Sequence, residues 1–83
     1  MMPRNKDSIP VDPIRVGIAG FGVVGKRRKR FIDAHPLTEC VIVSDSDSRQ
    51  TESLSGVKCV TDVEDLLYEQ IDVVFVCLPN HLA

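Results

Sequence analysis

Apolar residues in this chain form four short runs, each rich in β-branched side chains. The runs cover residues 14–19, 40–43, 57–60 and 71–78. Continuous apolar runs of this length are typical of strands that are buried on both faces of a parallel sheet. Residues 1–13 contain prolines and charges without apolar periodicity, so we expect an irregular N-terminal tail before the first strand.

Helical patterns separate the apolar runs. The first helix is indicated by residues at helical spacing, namely Val24, Arg28, Phe31, Ile32 and His35. Pro36 predicts that this helix ends soon after Ala34. Residues 48–55 are compatible with a short helix and almost equally with a loop. Thr61 and Glu64 have the spacing of a capping box, which predicts a further helix before the last strand.

Composition restricts the chain to one small domain of an ordinary globular kind. Its 83 residues are 43% hydrophobic and 27% charged, which argues against wholesale disorder or a fibrous repeat. No apolar segment approaches the roughly 18 residues that span a bilayer, and the N-terminus has no signal-peptide pattern. We therefore expect a cytoplasmic protein that has no membrane partner.

The cysteines and the overall charge exclude several kinds of site. Cys40, Cys59 and Cys77 lie in apolar runs without a CxxC pair, which predicts buried, reduced thiols rather than a disulfide or a metal site. The formal net charge of -2 and the sequence pI near 5.5 give no support for general binding of polyanions such as nucleic acids.

A glycine-rich segment follows the first predicted strand and begins the first predicted helix. It reads Gly20, Phe21, Gly22, Val23, Val24 and Gly25, a GxGxxG pattern. In this position the first glycine permits a tight turn, the second lets the backbone approach a pyrophosphate, and the third lets helix and strand pack closely. These six residues are therefore candidate contacts of a dinucleotide.

The pattern is strengthened by an acidic residue at the end of the second predicted strand. Asp45 lies 20 residues after Gly25, where a carboxylate binds the ribose hydroxyls of a dinucleotide. Asp45 is also a possible cap of the following segment, although Asp47 is equally placed for that task. We favour Asp45 for the ribose. The carboxylate favours NAD, whereas Ser46 and Arg49 are candidates for holding the 2′-phosphate of NADP; Arg49 is equally compatible with packing on adenine or facing solvent.

Strands that alternate with helices predict an α/β fold with right-handed crossovers and helices on both faces of a parallel sheet. Together with the glycine loop, this pattern predicts part of a doubly wound Rossmann sheet with strand order 3-2-1-4. Residues 14–83 would form this incomplete dinucleotide-binding domain.

Five consecutive cations, at positions 26–30, follow the glycine loop. Cations in a first helical turn oppose the helix dipole unless an anion binds there. The apolar stripe directs Arg28 towards the sheet, so we expect Arg28 to reach the cofactor's phosphates or an acidic partner. The other four cations would be solvated, and no aromatic platform accompanies them to suggest a nucleic-acid partner.

The chain resembles the N-terminal part of the glucose-fructose oxidoreductase and inositol dehydrogenase family, written Gfo/Idh/MocA. The stretches that carry the resemblance are IRVGIAGFGVVGK at 14–26, VIVSDSDSRQ at 41–50, GVKCVTDVEDLL at 56–67 and DVVFVCLPNHLA at 72–83. In the family the last stretch lies against the nicotinamide half of the cofactor. The resemblance therefore implies that Leu78, Pro79, Asn80 and His81 are cofactor contacts.

The resemblance implies the cofactor-binding part of an NAD(P)-dependent oxidoreductase that acts on a sugar, a polyol or a nucleotide sugar. Family members continue through a Glu-Lys-Pro motif into a substrate-binding domain, and this chain ends before both. We therefore expect a truncated chain with no catalytic residue of its own. The alternative is a non-catalytic nucleotide-sensing or assembly module. The apolar edge at 73–78 also predicts self-association as a homo-oligomer.

Overall fold

The computed structural model describes residues 12–78, which fold around a parallel sheet. The four strands are β1 (Ile14–Ala19), β2 (Thr38–Ser44), β3 (Lys58–Val60) and β4 (Val73–Val76). They lie in the order β3-β2-β1-β4, and all three neighbouring pairs are parallel. The predicted α/β fold and its strand order are confirmed. Strand β2 is longer than its apolar run, whereas β4 covers only the centre of the 71–78 run.

Within residues 12–78 the one α-helix, α1 (Val23–Ala34), connects β1 to β2. It ends where Pro36 predicts, and the N–H of His35 donates to the carbonyl of Ile32 at 3.1 Å. Its predicted apolar stripe is confirmed only at Ile32, because the other buried residue of the helix is Gly25 and Phe31 is 66% exposed. The close approach of Gly25 to the loop before the helix restricts the helix rotation, and Phe31 lines an open groove beside Val73 and Phe75 of β4.

The two later crossovers contain 3₁₀ turns rather than α-helices. Residues 48–55 include only the turn Ser48–Gln50, and the second turn is Val63–Tyr68. Asp62, not Thr61, precedes the second turn, and it forms no side-chain cap, so the capping-box prediction is wrong. Leu66 is the buried side chain of this turn, and one anchoring residue does not support several α-helical turns.

Apolar side chains pack on both faces of the sheet. The larger cluster lies under α1 and contains Val16, Ile18, Phe21, Ile32, Cys40 and Val43. The cluster on the opposite face contains Ala19, Ile42 and Leu66. The crossover through α1 therefore packs on one face of the sheet, and the crossover through Val63–Tyr68 packs on the other. A register shift lies between Val16 and Gly17, where the partner on β2 changes from Cys40 to Ile42. This bulge changes the face of every later residue in β2 and thereby sets the direction in which the strand delivers Asp45.

Cysteine burial follows strand position. Cys40 in the central strand β2 is buried, as predicted, whereas Cys77 is half-buried. Cys59 is exposed, which corrects the prediction, because β3 is the outer strand of the sheet and has little packed against it. Within residues 12–78, all three thiols are free and no cluster of acidic, histidine and cysteine side chains is arranged to hold a metal. No helix in this range is long and apolar enough to cross a membrane.

Candidate functional site

A cleft of about 670 Å³ lies at the carboxyl ends of the strands, above the middle of the sheet. The glycine loop and the first turn of α1 form one wall, and the end of β2 forms another. Cys77 and Leu78, directly after β4, complete the rim. Strand β1 has β2 on one side and β4 on the other, and this switch in topology is where open α/β sheets bind ligands.

The first and third glycines of the loop are required by the fold itself. Gly20 has a φ of +94°, and a Cβ there would lie 2.9 Å from the carbonyl oxygen of Cys77. A Cβ on Gly25 would lie only 2.1 Å from the carbonyl oxygen of Gly20. Both positions therefore exclude a side chain, because the loop is pressed between β4 and α1.

The second glycine is different. An added Cβ on Gly22 would have no atom within 4 Å, although Gly22 lines the cleft. Neither packing nor a positive φ explains a glycine here, since its φ is -78°. Because Gly22 has no side chain, a ligand in the open cleft can approach its backbone closely.

The N-terminus of α1 opens into the same cleft without an internal partner. No side chain caps the helix, and no acidic residue lies in its first turn. The first N–H groups of a helix have no intrahelical acceptor, and together with the helix dipole they attract anions. A phosphate held there would also offset the unfavourable cations that begin at Lys26.

Asp45 holds the two walls of the cleft together. Its Oδ2 accepts a hydrogen bond from the N–H of Phe21 at 2.7 Å, and its Oδ1 accepts from the N–H of Asp47 at 2.8 Å. The carboxylate thus fixes the glycine loop against the end of β2 through backbone donors. Each carboxylate oxygen retains a further lone pair, so Asp45 can still accept from a ligand hydroxyl.

The turn after Asp45 contains an ion pair. Asp47 caps the turn Ser48–Gln50 by accepting from the N–H of Arg49 at 3.1 Å. The same carboxylate accepts from Nε of Arg49 at 3.0 Å and from its Nη2 at 3.1 Å. These hydrogen bonds lower the pKa of Asp47 below its usual value and raise that of Arg49. Ser46 lines the cleft beside this turn, whereas Arg49 is directed to Asp47.

The basic run divides between two surroundings. Nζ of Lys26 donates to Oε1 of Gln50 at 2.7 Å, which links α1 to the turn after β2. The guanidinium of Arg28 lies 5.3 Å from the ring centroid of Phe75 on β4. The expectation that Arg28 reaches phosphates or an acidic partner is therefore wrong, because the aromatic face of β4 lies beneath it.

The structure brings most of the described candidate residues together at this cleft. Those that line it are Gly20, Gly22, Val23, Val24, Asp45, Ser46 and Leu78. Two residues of the pattern act from behind the cleft: Gly25 packs on Gly20, and the side chain of Phe21 is buried in the core at 3% exposure. Pro79, Asn80 and His81 lie outside the described residues.

Sequence reasoning missed several residues that line the cleft. They are Ser44, Gln50, Thr61, Val63 and Cys77. Ser44 is fully buried, and its hydroxyl has no hydrogen-bond partner within the described chain. Ser44 lies at the end of an apolar strand and has no neighbouring motif that marks it as a site residue. Thr61 and Cys77 follow other strands, and the sheet order brings them to the same edge as Ser44.

These features fit a dinucleotide. The bare backbone at Gly22 and the uncapped start of α1 suit a pyrophosphate, and the fixed carboxylate of Asp45 suits ribose hydroxyls. The unpartnered hydroxyl of Ser44 at the base of the cleft is a further polar group that a ligand or its water can satisfy.

Comparison with known proteins gives the same assignment. Residues 14–83 match the model of the Gfo/Idh/MocA family, described as an oxidoreductase family with an NAD-binding Rossmann fold. A comparison with curated protein sequences finds no match.

Similar solved structures include two bacterial enzymes with a TM-score of 0.71. Myo-inositol 2-dehydrogenase from Lactobacillus plantarum is 28% identical, and 82% of this chain covers 22% of that enzyme. A 3-ketoreductase variant from Actinomadura kijaniata, in complex with TDP-benzene and NADP, is 31% identical over 82% of this chain and 23% of its own.

A third structure, scyllo-inositol dehydrogenase from Lactobacillus casei with bound NAD(H) and scyllo-inositol, shares the fold at a TM-score of 0.68 and 24% identity. It is covered over 22% of its length by 82% of this chain. The chain thus spans less than a quarter of each structure it matches.

Proposed function

Because the chain belongs to the Gfo/Idh/MocA oxidoreductase family, we propose that residues 14–83 form the cofactor-binding part of an NAD(P)-dependent oxidoreductase. We further propose that the whole protein transfers hydride to or from a sugar, a polyol or a nucleotide sugar. The substrate class is supported by the names of the similar structures, a myo-inositol 2-dehydrogenase and a 3-ketoreductase solved with TDP-benzene and NADP.

In this proposal the chain's own residues bind and orient the dinucleotide. The N–H groups at the start of α1 and the bare backbone of Gly22 hold the pyrophosphate. Asp45 accepts from the adenosine ribose and at the same time holds the loop through the N–H of Phe21. Cys77 and Leu78, after the end of β4, line the opposite rim. The residues that follow in sequence, Pro79, Asn80 and His81, are the proposed contacts of the nicotinamide half.

The bound nicotinamide supplies hydride acceptance or donation, and the protein supplies orientation and an acid–base group for the substrate hydroxyl. No side chain that lines the cleft within residues 12–78 is a convincing acid–base group for that hydroxyl. We propose that this group and the substrate site belong to the remainder of the whole protein, so the 83-residue chain binds cofactor without catalysing the reaction. Cytoplasmic location and homo-oligomeric assembly stay predictions from sequence.

The single observation that carries the proposal is Gly22, a glycine that the fold does not require and that faces an open cleft beside an uncapped helix. The test is titration of the purified chain with NADH and with NADPH, following nicotinamide fluorescence and thermal unfolding by circular dichroism. Ligand at about one hundred times its Kd stabilises a folded domain by about 2.7 kcal/mol, which is readily measured.

The informative variant is Asp45→Asn. Asparagine keeps an acceptor oxygen for the N–H of Phe21 but removes the charge and the acceptor for the N–H of Asp47. We expect cofactor affinity to fall by about tenfold for the lost charge-assisted bond to the ribose, and the thermal unfolding of the free variant shows separately what the lost backbone bond costs. Asp33→Asn is the matched control, because Asp33 is an exposed partner of Lys29 on α1 and does not line the cleft. A folded wild-type chain that responds to neither cofactor would contradict the proposed site and favour the assembly-module alternative.

A further inference from the structure

The turn after β2 contains two carboxylates with different hydrogen-bond partners. The described donors to Asp45 are backbone N–H groups, those of Phe21 and Asp47. Asp47 accepts from a side chain as well: its two oxygens accept hydrogen bonds from Nε and Nη2 of Arg49 in a forked pair. A fork of this kind uses the same guanidinium face that would bind a phosphate.

This turn is the part of the chain that would meet the difference between the two nicotinamide cofactors. NADP differs from NAD by a phosphate on the adenosine ribose, and in this fold the acid that ends the second strand binds the hydroxyls of that ribose. Ser46 lines the cleft next to Asp45, and Asp47 and Arg49 follow within the same turn.

The charges of the turn oppose a phosphate as it stands. Asp45 and Asp47 contribute two negative charges and Arg49 one positive charge. A phosphate ester would add a charge of about -1.5 to -2 at neutral pH. The guanidinium that could offset this charge is already bound to Asp47, whereas the hydroxyls of NAD require no cation.

We propose that Asp47 is a specificity-determining residue that selects NAD over NADP by holding Arg49 away from the ribose and by adding a negative charge beside it. The inference rests on the proposed dinucleotide site. It assigns the choice of cofactor to the pair Asp47 and Arg49 in addition to Asp45.

An exposed ion pair is weak, so we expect the loss of Asp47 to change the affinity for NADPH only moderately. Asp47 is about one third exposed and Arg49 is largely exposed, with side-chain exposures of 37% and 83%. Arg49 can therefore turn to another anion once the competing carboxylate is removed. Another cation near this turn is Lys26, whose Nζ donates to Oε1 of the neutral Gln50.

The test compares the dissociation constants of NADH and NADPH for the full chain and for Asp47→Asn. Asparagine keeps an acceptor oxygen for the N–H of Arg49 and is a good cap, so the turn is preserved. We expect NADPH to bind about tenfold more tightly to Asp47→Asn, by one charge-assisted contact, while NADH changes by less than about twofold. The gain should shrink as salt is raised. Asp47→Ser, a second capping replacement, should give the same shift.

Two further variants make the result specific. The double variant Asp47→Asn with Arg49→Gln should lose most of the NADPH gain and keep at most the part that comes from removing the negative charge of Asp47. Asp33→Asn, which removes an exposed charge from α1, should show no gain. An unchanged NADPH to NADH ratio in both Asp47 variants would overturn the inference, as would a gain that survives the loss of Arg49 in full. If the wild-type chain is folded and binds NADH, such a result leaves the cofactor site intact; if it binds neither cofactor, the proposed function itself fails.

Discussion

Gly25 and Gly22 belong to one sequence pattern, yet the structure predicts opposite consequences for the same substitution. Gly25→Ala would place a methyl group 2.1 Å from the carbonyl oxygen of Gly20 and 3.1 Å from its carbonyl carbon. Backbone atoms cannot rotate out of the way as a flexible side chain can. To restore an ordinary contact, α1 or the loop must move by more than about 1 Å within a close-packed region.

The cost of Gly25→Ala follows from three contributions. Overpacking against fixed atoms costs about 1 to 3 kcal/mol or more, and alanine returns about 1 kcal/mol of helix propensity. Displacing the loop also disturbs Gly20, which already lies against Cys77. If the disturbance of Gly20 offsets the gain in helix propensity, the net loss is about 1 to 3 kcal/mol, from a total stability of roughly 4 to 12 kcal/mol for a domain of this size.

Gly22→Ala meets no atom within 4 Å and requires no positive φ. Alanine is a poorer N-cap than glycine, so a loss below about 1 kcal/mol is expected. The methyl group would nevertheless occupy the face of the loop that lies open to the cleft. We expect cofactor affinity to fall by about tenfold or more, since the backbone approach to the pyrophosphate is blocked.

Urea unfolding followed by far-UV circular dichroism measures the stability of both variants, because the chain has no tryptophan to report by fluorescence. Nicotinamide fluorescence measures binding in the same samples. We expect an unstable Gly25→Ala variant and a stable Gly22→Ala variant that does not bind the cofactor. Equal stability losses in the two variants would refute this expectation, and so would normal NADH binding by a folded Gly22→Ala.

Three further outcomes follow from the described contacts. Burial raises the pKa of Cys40 to about 11, so iodoacetamide near pH 8 should modify the exposed Cys59 first, as read by mass spectrometry; equal rates in the native chain would contradict the assignment. A double-mutant cycle of Arg28→Ala and Phe75→Leu should give a coupling of about 0.5 to 1 kcal/mol in urea unfolding, and zero coupling would show that the stacked pair contributes nothing. The pKa of Asp47 is lowered in the folded state, so the stability that its ion pair contributes is present above the ordinary carboxyl pKa and is lost as the pH falls through the lowered value. The difference in urea midpoint between wild type and Asp47→Asn should therefore be present at pH 7 and vanish in acid. A difference that stays constant with pH would contradict a contribution from the ion pair.

Much of the candidate site could be predicted because its signals are local. The GxGxxG pattern predicts that turn geometry excludes a side chain at Gly20 and that helix packing excludes one at Gly25. The structure shows a clash for an added Cβ at both positions. The spacing to Asp45 is also a short-range property, since it equals one helix and one strand. Pro36 ends α1 for a reason confined to its own ring.

Other parts depend on residues that are distant in sequence. The rotation of α1 was predicted from its apolar residues, but the contact of Gly25 with Gly20 restricts it, and Phe31 is exposed. The partner of Arg28 is Phe75, which only the pairing of β1 with β4 brings beneath the helix. The register shift between β1 and β2 also could not be predicted, because no local residue pattern in β2 indicates a bulge.

The strands, their α/β order and the glycine loop with its acid follow from the sequence, because apolar runs and backbone-restricted residues act over a few positions. The buried face of α1, the contact of Arg28 and the bonds that hold Asp45 depend instead on how the elements pack together. Helix rotation and side-chain partners follow from close packing between elements, where a backbone clash of about 1 Å outweighs a hydrophobic preference spread along one helix.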